Sequence, residues 1–405
     1  MRNTKYEMPN THVAIIATGS ELMRGRSVDT HLGFFARRLE TIGLEVGWHS
    51  TCGDDLDRIV GEIKLAAARA DVVILSGGLG PTQDDLTRDA AAEAFHRPLV
   101  FHAAAWRAIR TRFRRFRIRM AAINRLQAFA PRGARLLPNP NGSAPGFALV
   151  ADGVRFFALP GPPREMMPMF DRHVLTRLPR GRPLALWEAH TVGLPEGTVD
   201  EIVRPIVARH RDASYGTTVS HGTVNITVKN GARAGRAIAK ALGDRLFMRP
   251  LAEEVAARLL KRRATVAIAE SCTGGLIAHK LTQVAGVSAV LLEAVVAYSN
   301  ASKVARLGVP AALIGRHGAV SEEVARAMAE GAARTSGASM GVATTGIAGP
   351  TGGSKAKPVG LVWHAVAYRG RTSVERRVFP GERAHVKERS ANLALDMMRR
   401  ILNSE

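Results

Sequence analysis

Cysteine is almost absent from this chain, which has only two in 405 residues. Cys52 and Cys272 lie in segments that predict different domains, so no structural disulfide is expected. Long apolar runs are also missing, since none approaches the roughly 18–20 residues that a membrane span needs. Residues 1–7 lack the apolar core of a signal peptide. These absences predict a soluble, cytoplasmic protein with no membrane partner.

Acidic residues are scarce relative to basic ones. The 35 Asp and Glu stand against 57 Lys and Arg, which gives a net charge of +22. Arginine is densest at 107–119, here called the arginine segment, which contains Arg107, Arg110, Arg112, Arg114, Arg115, Arg117 and Arg119. Apolar residues recur in the same stretch at helical spacing: Trp106, Ile109, Phe113 and Phe116. The pattern predicts a helix with one apolar face and a basic remainder.

The partner of the arginine segment stays open at this stage. Such a surface attracts nucleic acid or acidic membranes without sequence preference, and it also steers anionic dinucleotides toward a site. A solvated helix on an arginine-rich protein explains the pattern equally well. No recognised nucleic-acid-binding motif is present. The chain is long enough for two or three domains, and its 46% hydrophobic content supports sizeable cores.

Strand and helix patterns alternate in the first third of the chain. The apolar runs 13–17 and 71–75 are typical of buried strands. Between them, two helical stripes are formed by Leu32, Phe35, Leu39 and Ile42 and by Ile59, Ile63 and Ala67. This alternation predicts an α/β domain with a doubly wound, mostly parallel sheet. Ligands in such sheets bind beyond the carboxyl ends of the strands.

The second of these runs leads into a loop rich in glycine. The loop contains three glycines and two adjacent aspartates: Gly77, Gly78, Gly80, Asp84 and Asp85. The glycines allow backbone N–H groups to approach an anion closely. The aspartates offer hard oxygen ligands for a divalent cation that bridges phosphates, and Asp54 can share that cation. The alternative is that the two aspartates merely cap a helix.

A second candidate site begins at Ser271, in the string Ala-Glu-Ser-Cys-Thr-Gly-Gly at 269–275. The apolar run 265–268 precedes this string, and a helical pattern over 276–281 follows it. The order predicts a strand, a tight turn and a helix start, which holds the serine hydroxyl beside unpaired backbone N–H groups. A nucleophile placed there can be oriented and its oxyanion stabilised. The alternative is an ordinary helix N-cap.

Further strings follow this turn at 297–303, 307–309, 317–323, 344–353 and 357–360. In this order and spacing they resemble the nicotinamide-nucleotide amidase family, the C-terminal domain of competence/damage-inducible protein A. The resemblance covers residues 246–402. It implies an α/β amidase domain that hydrolyses the carboxamide of nicotinamide mononucleotide, giving nicotinic acid mononucleotide and ammonia without a cofactor.

The resemblance implies a nucleophile, Ser271, and two residues that activate it. Lys303 can act as the base if burial or a neighbouring charge lowers its pKa, and Tyr298 can relay the proton or orient the lysine. Taken singly, Tyr298 could be a strand residue with its hydroxyl in water, and Lys303 a surface lysine. Cys272 is a weaker candidate nucleophile, since it has no nearby partner in the sequence.

The substrate-binding residues implied by the resemblance form two groups. The turn supplies backbone N–H groups for the oxyanion, and a glycine-rich loop at 346–353 lets backbone approach a phosphate. The residues are Cys272, Thr273, Gly274, Gly275, Thr345, Gly346, Gly349, Gly353 and Arg383.

Four departures from the amidase pattern bear on substrate fit. Val287 stands where the family has a serine, and Glu293-Ala294 stands where it has a pair of glycines. Glu382 replaces an aspartate, and Lys387 an arginine. An inactive amidase domain is therefore a further hypothesis.

Residues 11–172 resemble the molybdopterin-binding domain family, through the strings 18–22, 53–55, 77–87, 142–147 and 159–166. In the competence/damage-inducible branch, the resemblance implies divalent-metal-dependent ADP-ribose pyrophosphatase activity, with Mg²⁺ or a similar ion. The implied metal ligands are Asp54, Asp84 and Asp85. The implied nucleotide-binding residues are Thr18, Gly19, Ser20, Glu21, Gly77, Gly78, Gly80, Thr82, Thr87, Pro160, Gly161 and Glu165. His31 stands where the family usually has asparagine. The rival hypothesis is that this domain binds a molybdopterin-like ligand without hydrolysis.

The segment 184–245 predicts a small α+β module, a spacer or dimerisation element without a catalytic cluster. Its patterns indicate strands at 189–192 and 223–228 and helices at 200–210 and 233–242. The predicted domains are 11–172, 184–245 and 247–405. Together these patterns predict a bifunctional enzyme of pyridine-nucleotide recycling, acting as a homodimer. A DNA-uptake or damage-response adaptor that uses the arginine segment is the non-enzymatic alternative.

Overall fold

The computed structural model describes residues 11–181 and 185–404. The chain forms two compact units, Met1–Leu184 and Ala185–Glu405. The segment predicted as a middle module belongs to the second of these units, where it builds a sheet of its own. Among the described residues, no helix is both long and apolar enough to cross a membrane.

The first unit combines eight strands with six helices in its described part. The strands are β1 (Val13–Thr18), β2 (Val46–Cys52), β3 (Val72–Ser76), β4 (Leu99–Phe101), β5 (Phe129–Pro131), β6 (Arg135–Leu137), β7 (Gly146–Ala151) and β8 (Val154–Leu159). The helices are α1 (Ser20–Met23), α2 (His31–Glu40), α3 (Leu56–Ala67), α4 (Thr87–Ala94), α5 (Ala103–Arg115) and α6 (Pro163–Met169).

The main sheet of the first unit has the order β2-β1-β3-β8-β7-β6. The first four strands run parallel, and β7 and β6 add antiparallel pairs. Alternate residues of β1 and β3 enter two different cores, one on each face of the sheet. Burial on both faces explains why these strands read as continuous apolar runs. The predicted doubly wound, mostly parallel sheet is confirmed.

The second unit combines nine strands with eight helices in its described part. The strands are β9 (Leu186–Val192), β10 (Ser214–Ser220), β11 (Thr223–Lys229), β12 (Leu246–Phe247), β13 (Val266–Glu270), β14 (Leu291–Val296), β15 (Met340–Gly346), β16 (Leu361–Tyr368) and β17 (Arg371–Val378). The helices are α7 (Glu196–Val207), α8 (Ala232–Leu242), α9 (Leu251–Arg262), α10 (Leu276–Thr282), α11 (Asn300–Leu307), α12 (Ala311–His317), α13 (Glu322–Ser336) and α14 (Arg383–Asn403).

The second unit has two sheets. One is antiparallel, in the order β10-β11-β9-β12, with α7 and α8 packed on its own core. Because β12 pairs with β9, this sheet extends past residue 245, the predicted end of the middle module. The other sheet has the order β14-β13-β15-β16-β17 and is parallel across its first three strands. It carries a core on each face, as an α/β fold requires.

The arginine segment is only partly helical. Helix α5 ends at Arg115, and the chain turns at Arg117, which has a positive φ of 56°. Ile109 is buried and Phe113 packs beside it, as the apolar stripe predicts. Phe116 lies past the helix end and is 55% exposed, so the packed apolar face ends at Phe113, one turn earlier than predicted.

Candidate functional site

Ser271 lies where three neighbouring parallel strands end. It directly follows β13, and the ends of β14 and β15 lie on either side of it. Its backbone N–H donates to the Thr344 carbonyl at 3.0 Å, and the Thr273 and Thr344 hydroxyls form a hydrogen bond at 2.7 Å. The turn that carries Ser271 is therefore fixed to the adjacent strand. The predicted strand, turn and helix start are confirmed in β13 and α10.

Glu270 stabilises this turn through hydrogen bonds between its carboxylate and backbone N–H groups. Its carboxylate is buried and accepts hydrogen bonds from the N–H groups of Gly275, Ile277 and Ala278, at 2.9, 3.2 and 2.9 Å. A carboxylate at a helix N-terminus satisfies backbone donors that otherwise lack partners. Glu270 therefore positions Ser271. Sequence reasoning assigned Glu270 no role, although an acidic residue between a strand and a helix start was a visible signal.

Lys303 is the neighbour of Ser271 that matters most for chemistry. It lies 32 positions further along the chain, and its Nζ is 3.2 Å from Ser271 Oγ. Nζ also donates to the carbonyls of Ala297 and Tyr298, at 2.9 and 3.2 Å. Only 1% of the side chain surface is exposed, which excludes the alternative of a surface lysine.

Burial sets the protonation of this lysine. Removal from water lowers the Lys303 pKa below its ordinary value, because the charged ammonium loses hydration. The three contacts suit a neutral amine, which has two N–H donors for the two carbonyls and a lone pair for the Ser271 hydroxyl. The same geometry also accommodates the ammonium as a three-proton donor. Lys303 can thus exchange a proton with Ser271 without moving.

Tyr298 contacts this pair through its backbone and not through its side chain. Its carbonyl accepts from Lys303, whereas its hydroxyl accepts from Arg383 Nη2 at 2.9 Å. The side chain is 60% exposed. Arg383 also donates to the Gly349 carbonyl at 2.9 Å and so joins Tyr298 to the predicted phosphate loop. The hydroxyl of Tyr298 therefore contacts Arg383 and not Lys303.

Cys272 is poorly suited to act as the nucleophile. Burial raises the pKa of its thiol to about 12, so the reactive thiolate is scarce at neutral pH. The neighbouring hydroxyl of Ser271, by contrast, forms a hydrogen bond with the Lys303 amine. The predicted ranking of serine over cysteine agrees with this environment.

The other predicted substrate-binding residues hold the loops around the turn. Thr345 lies at the end of β15 and donates its hydroxyl to the Ala319 carbonyl at 2.7 Å. A Cβ on Gly346 would collide with the Leu361 carbonyl, and a Cβ on Gly353 with the Val359 N–H. Gly274 donates its N–H to the Ser271 carbonyl, and Gly275 to Glu270. These two N–H groups shape the turn and are unavailable to a substrate.

The structure places two of the departures from the amidase pattern, Val287 and Glu293, away from Ser271. Val287 is buried and packs in one of the two cores of the C-terminal sheet. Glu293 is exposed on β14, an edge strand. Lys387 does lie near the turn, since its Nζ comes within 3.6 Å of the position that a Cβ on Gly274 would take. A cation is therefore retained at the site.

The predicted residues of the first unit converge on one cavity of about 400 Å³. Except for Ser20 and Thr87, all of them line it: Thr18, Gly19, Glu21, Asp54, Gly77, Gly78, Gly80, Thr82, Asp84, Asp85, Pro160, Gly161 and Glu165. Ser20 hydrogen-bonds reciprocally with Asp54. Thr87 is buried and donates to the Gly77 carbonyl at 2.8 Å, so it holds the glycine loop in place.

This cavity has the features of a phosphate site. Gly77 and Gly78 have positive φ angles, and a Cβ on either would collide with Thr18 or Thr87. The Gly77 backbone therefore packs directly on Thr18, and that of Gly78 on Thr87. The Thr18 hydroxyl is buried and finds no hydrogen-bond partner among the described residues.

The three predicted metal ligands differ in their surroundings. Asp85 accepts from the N–H groups of Gly80 and Thr82, each at 2.8 Å, and from the Thr82 hydroxyl. It neither caps α4 nor turns an unengaged oxygen to the cavity. Asp84 is exposed. Asp54 uses one oxygen on the Ser20 N–H at 2.7 Å. The described residues contain no cluster of three or more metal-binding side chains.

Three residues of this site escaped sequence reasoning. Asn139 donates to Glu165 at 2.6 Å and orients its carboxylate, while Gln127 and Ser143 line the cavity. Asn139 and Gln127 lie in segments without motif spacing, so only the fold brings them to the glycine loop. Ser143 lies in the resembling string 142–147 but was assigned no role. His31, the departure from the family pattern, hydrogen-bonds the Ser76 hydroxyl through Nδ1 at 2.9 Å, just before that loop.

Comparison with known proteins agrees with both resemblances. The model of the CinA C-terminal domain matches residues 248–402, and that of the "Probable molybdopterin binding domain" matches residues 14–180. A competence-damage inducible protein of Alkaliphilus metalliredigens is 39% identical over 96% of this chain and 98% of its own. A CinA-like protein of Anaeromyxobacter dehalogenans is 43% identical over 96% and 98%. A crystal structure of a competence/damage inducible protein from Agrobacterium tumefaciens is 42% identical, covering 38% of this chain and 97% of that chain with a TM-score of 0.36. Since relatives align along nearly its whole length, the chain belongs to the competence-damage inducible protein (CinA) family.

Proposed function

We propose that the C-terminal part of this chain is a serine hydrolase of carboxamides, with nicotinamide mononucleotide as substrate. The observation that carries the proposal is the contact between Ser271 Oγ and a buried lysine whose pKa burial lowers. Nucleophilic serines need an adjacent base, and a desolvated lysine is such a base at moderate pH.

In the proposed reaction, Lys303 takes the Ser271 proton as Oγ attacks the carboxamide carbon. The Nζ proton then passes to the departing nitrogen, and the C–N bond breaks. Ammonia departs, and the acyl group remains on Ser271 as an ester. Water, deprotonated by the same amine, hydrolyses that ester to the carboxylate and free serine. The N–H groups of Gly274 and Gly275 are engaged with Ser271 and Glu270, so the proposal does not assign the oxyanion to them.

Charge around the turn favours an anionic substrate. Arg383 contacts Tyr298 and the Gly349 carbonyl, and Lys387 lies beside Gly274. Two cations near the turn suit a nucleotide phosphate better than an uncharged amide. The test is to incubate the full chain with nicotinamide mononucleotide and, separately, with free nicotinamide, and to measure ammonia. Release from the nucleotide and little from nicotinamide supports the proposal, and a well-folded chain that releases none contradicts it.

We propose a second activity for the first unit: hydrolysis of ADP-ribose to AMP and ribose 5-phosphate with a divalent metal ion. The glycine loop, which lines the cavity together with Thr18 and Gly161, supports a bound phosphate. Asp54 and Asp84 fit the ion, since Mg²⁺ is commonly held by one or two carboxylates and substrate phosphates. The bound ion would neutralise phosphate charge, while the loop N–H groups orient the pyrophosphate.

We predict that Asp84→Asn and Asp85→Asn have different consequences. Asp84→Asn removes an exposed metal ligand, so metal-dependent ADP-ribose hydrolysis falls about 10–100-fold while melting temperature and metal-free phosphate binding stay unchanged. Asp85→Asn loses hydrogen bonds within the loop, costs about 1–3 kcal/mol, and weakens phosphate binding even without metal. Hydrolysis assays and calorimetry with EDTA separate the two. If the unsubstituted chain binds phosphates but hydrolyses nothing, the binding-only hypothesis is preferred.

We also propose that the protein is a homodimer that pairs through β14. This strand forms an edge of its sheet, yet Leu292 and Val296 on it are each 48% exposed. Natural proteins rarely leave an apolar edge uncovered. We expect a molar mass near twice 43.5 kDa by light scattering, reduced to the single-chain value by Leu292→Arg. Val150→Arg, at a 72% exposed valine of the first unit, is the matched control. A monomeric unsubstituted chain would rule this interface out.

A further inference from the structure

A second cavity of the first unit lies beside the glycine-loop cavity. It has a volume of about 720 Å³ and lies between helix α5 and the loop of residues 138–145. Ser143 lines both cavities. At this boundary the Gly142 backbone packs so closely against Glu165 that a Cβ would overlap its carboxylate. Glu165 also lines the glycine-loop cavity. The two cavities therefore adjoin at Ser143.

The walls of this cavity are fixed and largely apolar. Ala104, Ala108 and Ile109 form the helix side, and Leu136 and Pro138 form part of the opposite side. The Arg112 guanidinium donates to the carbonyls of Pro140 and Asn141, at 2.8 and 2.6 Å, and so ties the loop to the helix. A pocket of this size and polarity suits a small organic ligand.

Cationic and aromatic groups line one side of the cavity. Arg107 and Arg115 line it, together with Phe116, and none of its lining residues is acidic. The Arg112 and Arg115 guanidinium groups lie 5.1 and 5.9 Å from the Phe116 ring. The sequence has no Asp or Glu at all from 94 to 151. Planar guanidinium and phenyl groups stack on nucleobases, and the positive charge attracts the phosphates that a base carries with it.

We propose that this cavity binds the base and ribose of a dinucleotide whose two phosphates lie on the glycine loop. The inference rests on the proposed function of the first unit and adds the part of the substrate that the loop does not contact. It assigns Arg115 and the Ala108 face of α5 to base recognition. It also gives the arginine segment a small-molecule role in place of nucleic-acid binding.

The test uses the two halves of ADP-ribose as separate probes on the full chain. Titration calorimetry measures AMP and ribose 5-phosphate binding to three variants: Arg115→Gln, Arg114→Gln and Ala108→Phe. Arg114 is the neighbour of Arg115 on α5 and does not line the cavity, so it is the matched control. We expect Arg115→Gln and Ala108→Phe to weaken AMP binding about fivefold or more, with ribose 5-phosphate binding changed less than twofold. Arg114→Gln should change neither.

Other outcomes overturn the inference in distinguishable ways. If both probes bind and Arg115→Gln behaves like Arg114→Gln, the base lies elsewhere, although the phosphate site stands. If neither probe binds the unsubstituted chain, the proposed phosphate site fails and the base subsite fails with it. If both arginine variants lose salt-dependent affinity for single-stranded DNA while AMP binding is unaffected, the arginine segment is a nucleic-acid surface.

Discussion

Ser271→Ala should abolish ammonia release from nicotinamide mononucleotide, with a rate about 10⁴-fold or more below that of the unsubstituted chain. Removing a catalytic nucleophile costs serine hydrolases this much, because the remaining groups cannot form the covalent intermediate. The fold should be unaffected, since the backbone contacts of Ser271 with Thr344 and Gly274 remain. Ammonia assays and thermal melts on the same preparation measure the two quantities.

Two controls make this result specific. Ser302→Ala removes a hydroxyl beside Lys303 on α11 and should leave the rate within a few-fold. Cys272→Ala removes the neighbouring thiol, and it should abolish activity only if sulfur is the nucleophile. Ammonia release that persists in Ser271→Ala would refute the assigned nucleophile and move attention to Cys272.

The regular parts of the fold were readable from the sequence because burial shaped them. Strands β1, β3 and β13 lie between two cores each, and they appear as unbroken apolar runs. Strand β10 escaped prediction because its Ser- and Thr-rich residues are mostly exposed at a sheet edge. Helix α7 begins at Glu196, four residues before the predicted start, because Pro195 precedes it and fixes the entry of the chain.

The candidate site was predicted as a set of residues but not as a set of contacts. The sequence nominated Ser271 and Lys303, yet the distance between them depends on a backbone hydrogen bond from Ala297 to Glu270, which joins the segment before α11 to the end of β13. It nominated Tyr298 for its hydroxyl, whereas the atom that touches Lys303 is the backbone carbonyl, which every residue has. Asp85 was nominated as a metal ligand, and only the folded loop shows its oxygens engaged with Gly80 and Thr82. Residue identity cannot distinguish such roles.

Lys303→Met should separate activity from stability. Methionine matches the length of lysine without its amine, so ammonia release should fall about 10²–10⁴-fold for lack of a base. The carbonyls of Ala297 and Tyr298 lose a hydrogen-bond donor, which destabilises the fold. Removal of a desolvated amine stabilises it. These effects oppose each other, and we expect the free energy of unfolding to change by less than about 2 kcal/mol. Lys303→Arg keeps the charge, and its higher pKa should leave it inactive as well.

The pH dependence supplies the independent readout. Because the Lys303 pKa is lowered in the folded chain, activity should rise with pH to a plateau whose midpoint lies below the ordinary lysine pKa. The Lys303 pKa is lower in the folded chain than in the unfolded chain. At pH values between the two, the unfolded chain binds more protons, so the contribution of Lys303 to the free energy of unfolding increases with pH. The free energy of unfolding of Lys303→Met minus that of the unsubstituted chain should accordingly be largest below the folded pKa and decrease through that window. An activity profile that is flat up to the ordinary lysine pKa, or an unfolding free energy difference that grows with pH, would exclude Lys303 as the neutral base that activates Ser271.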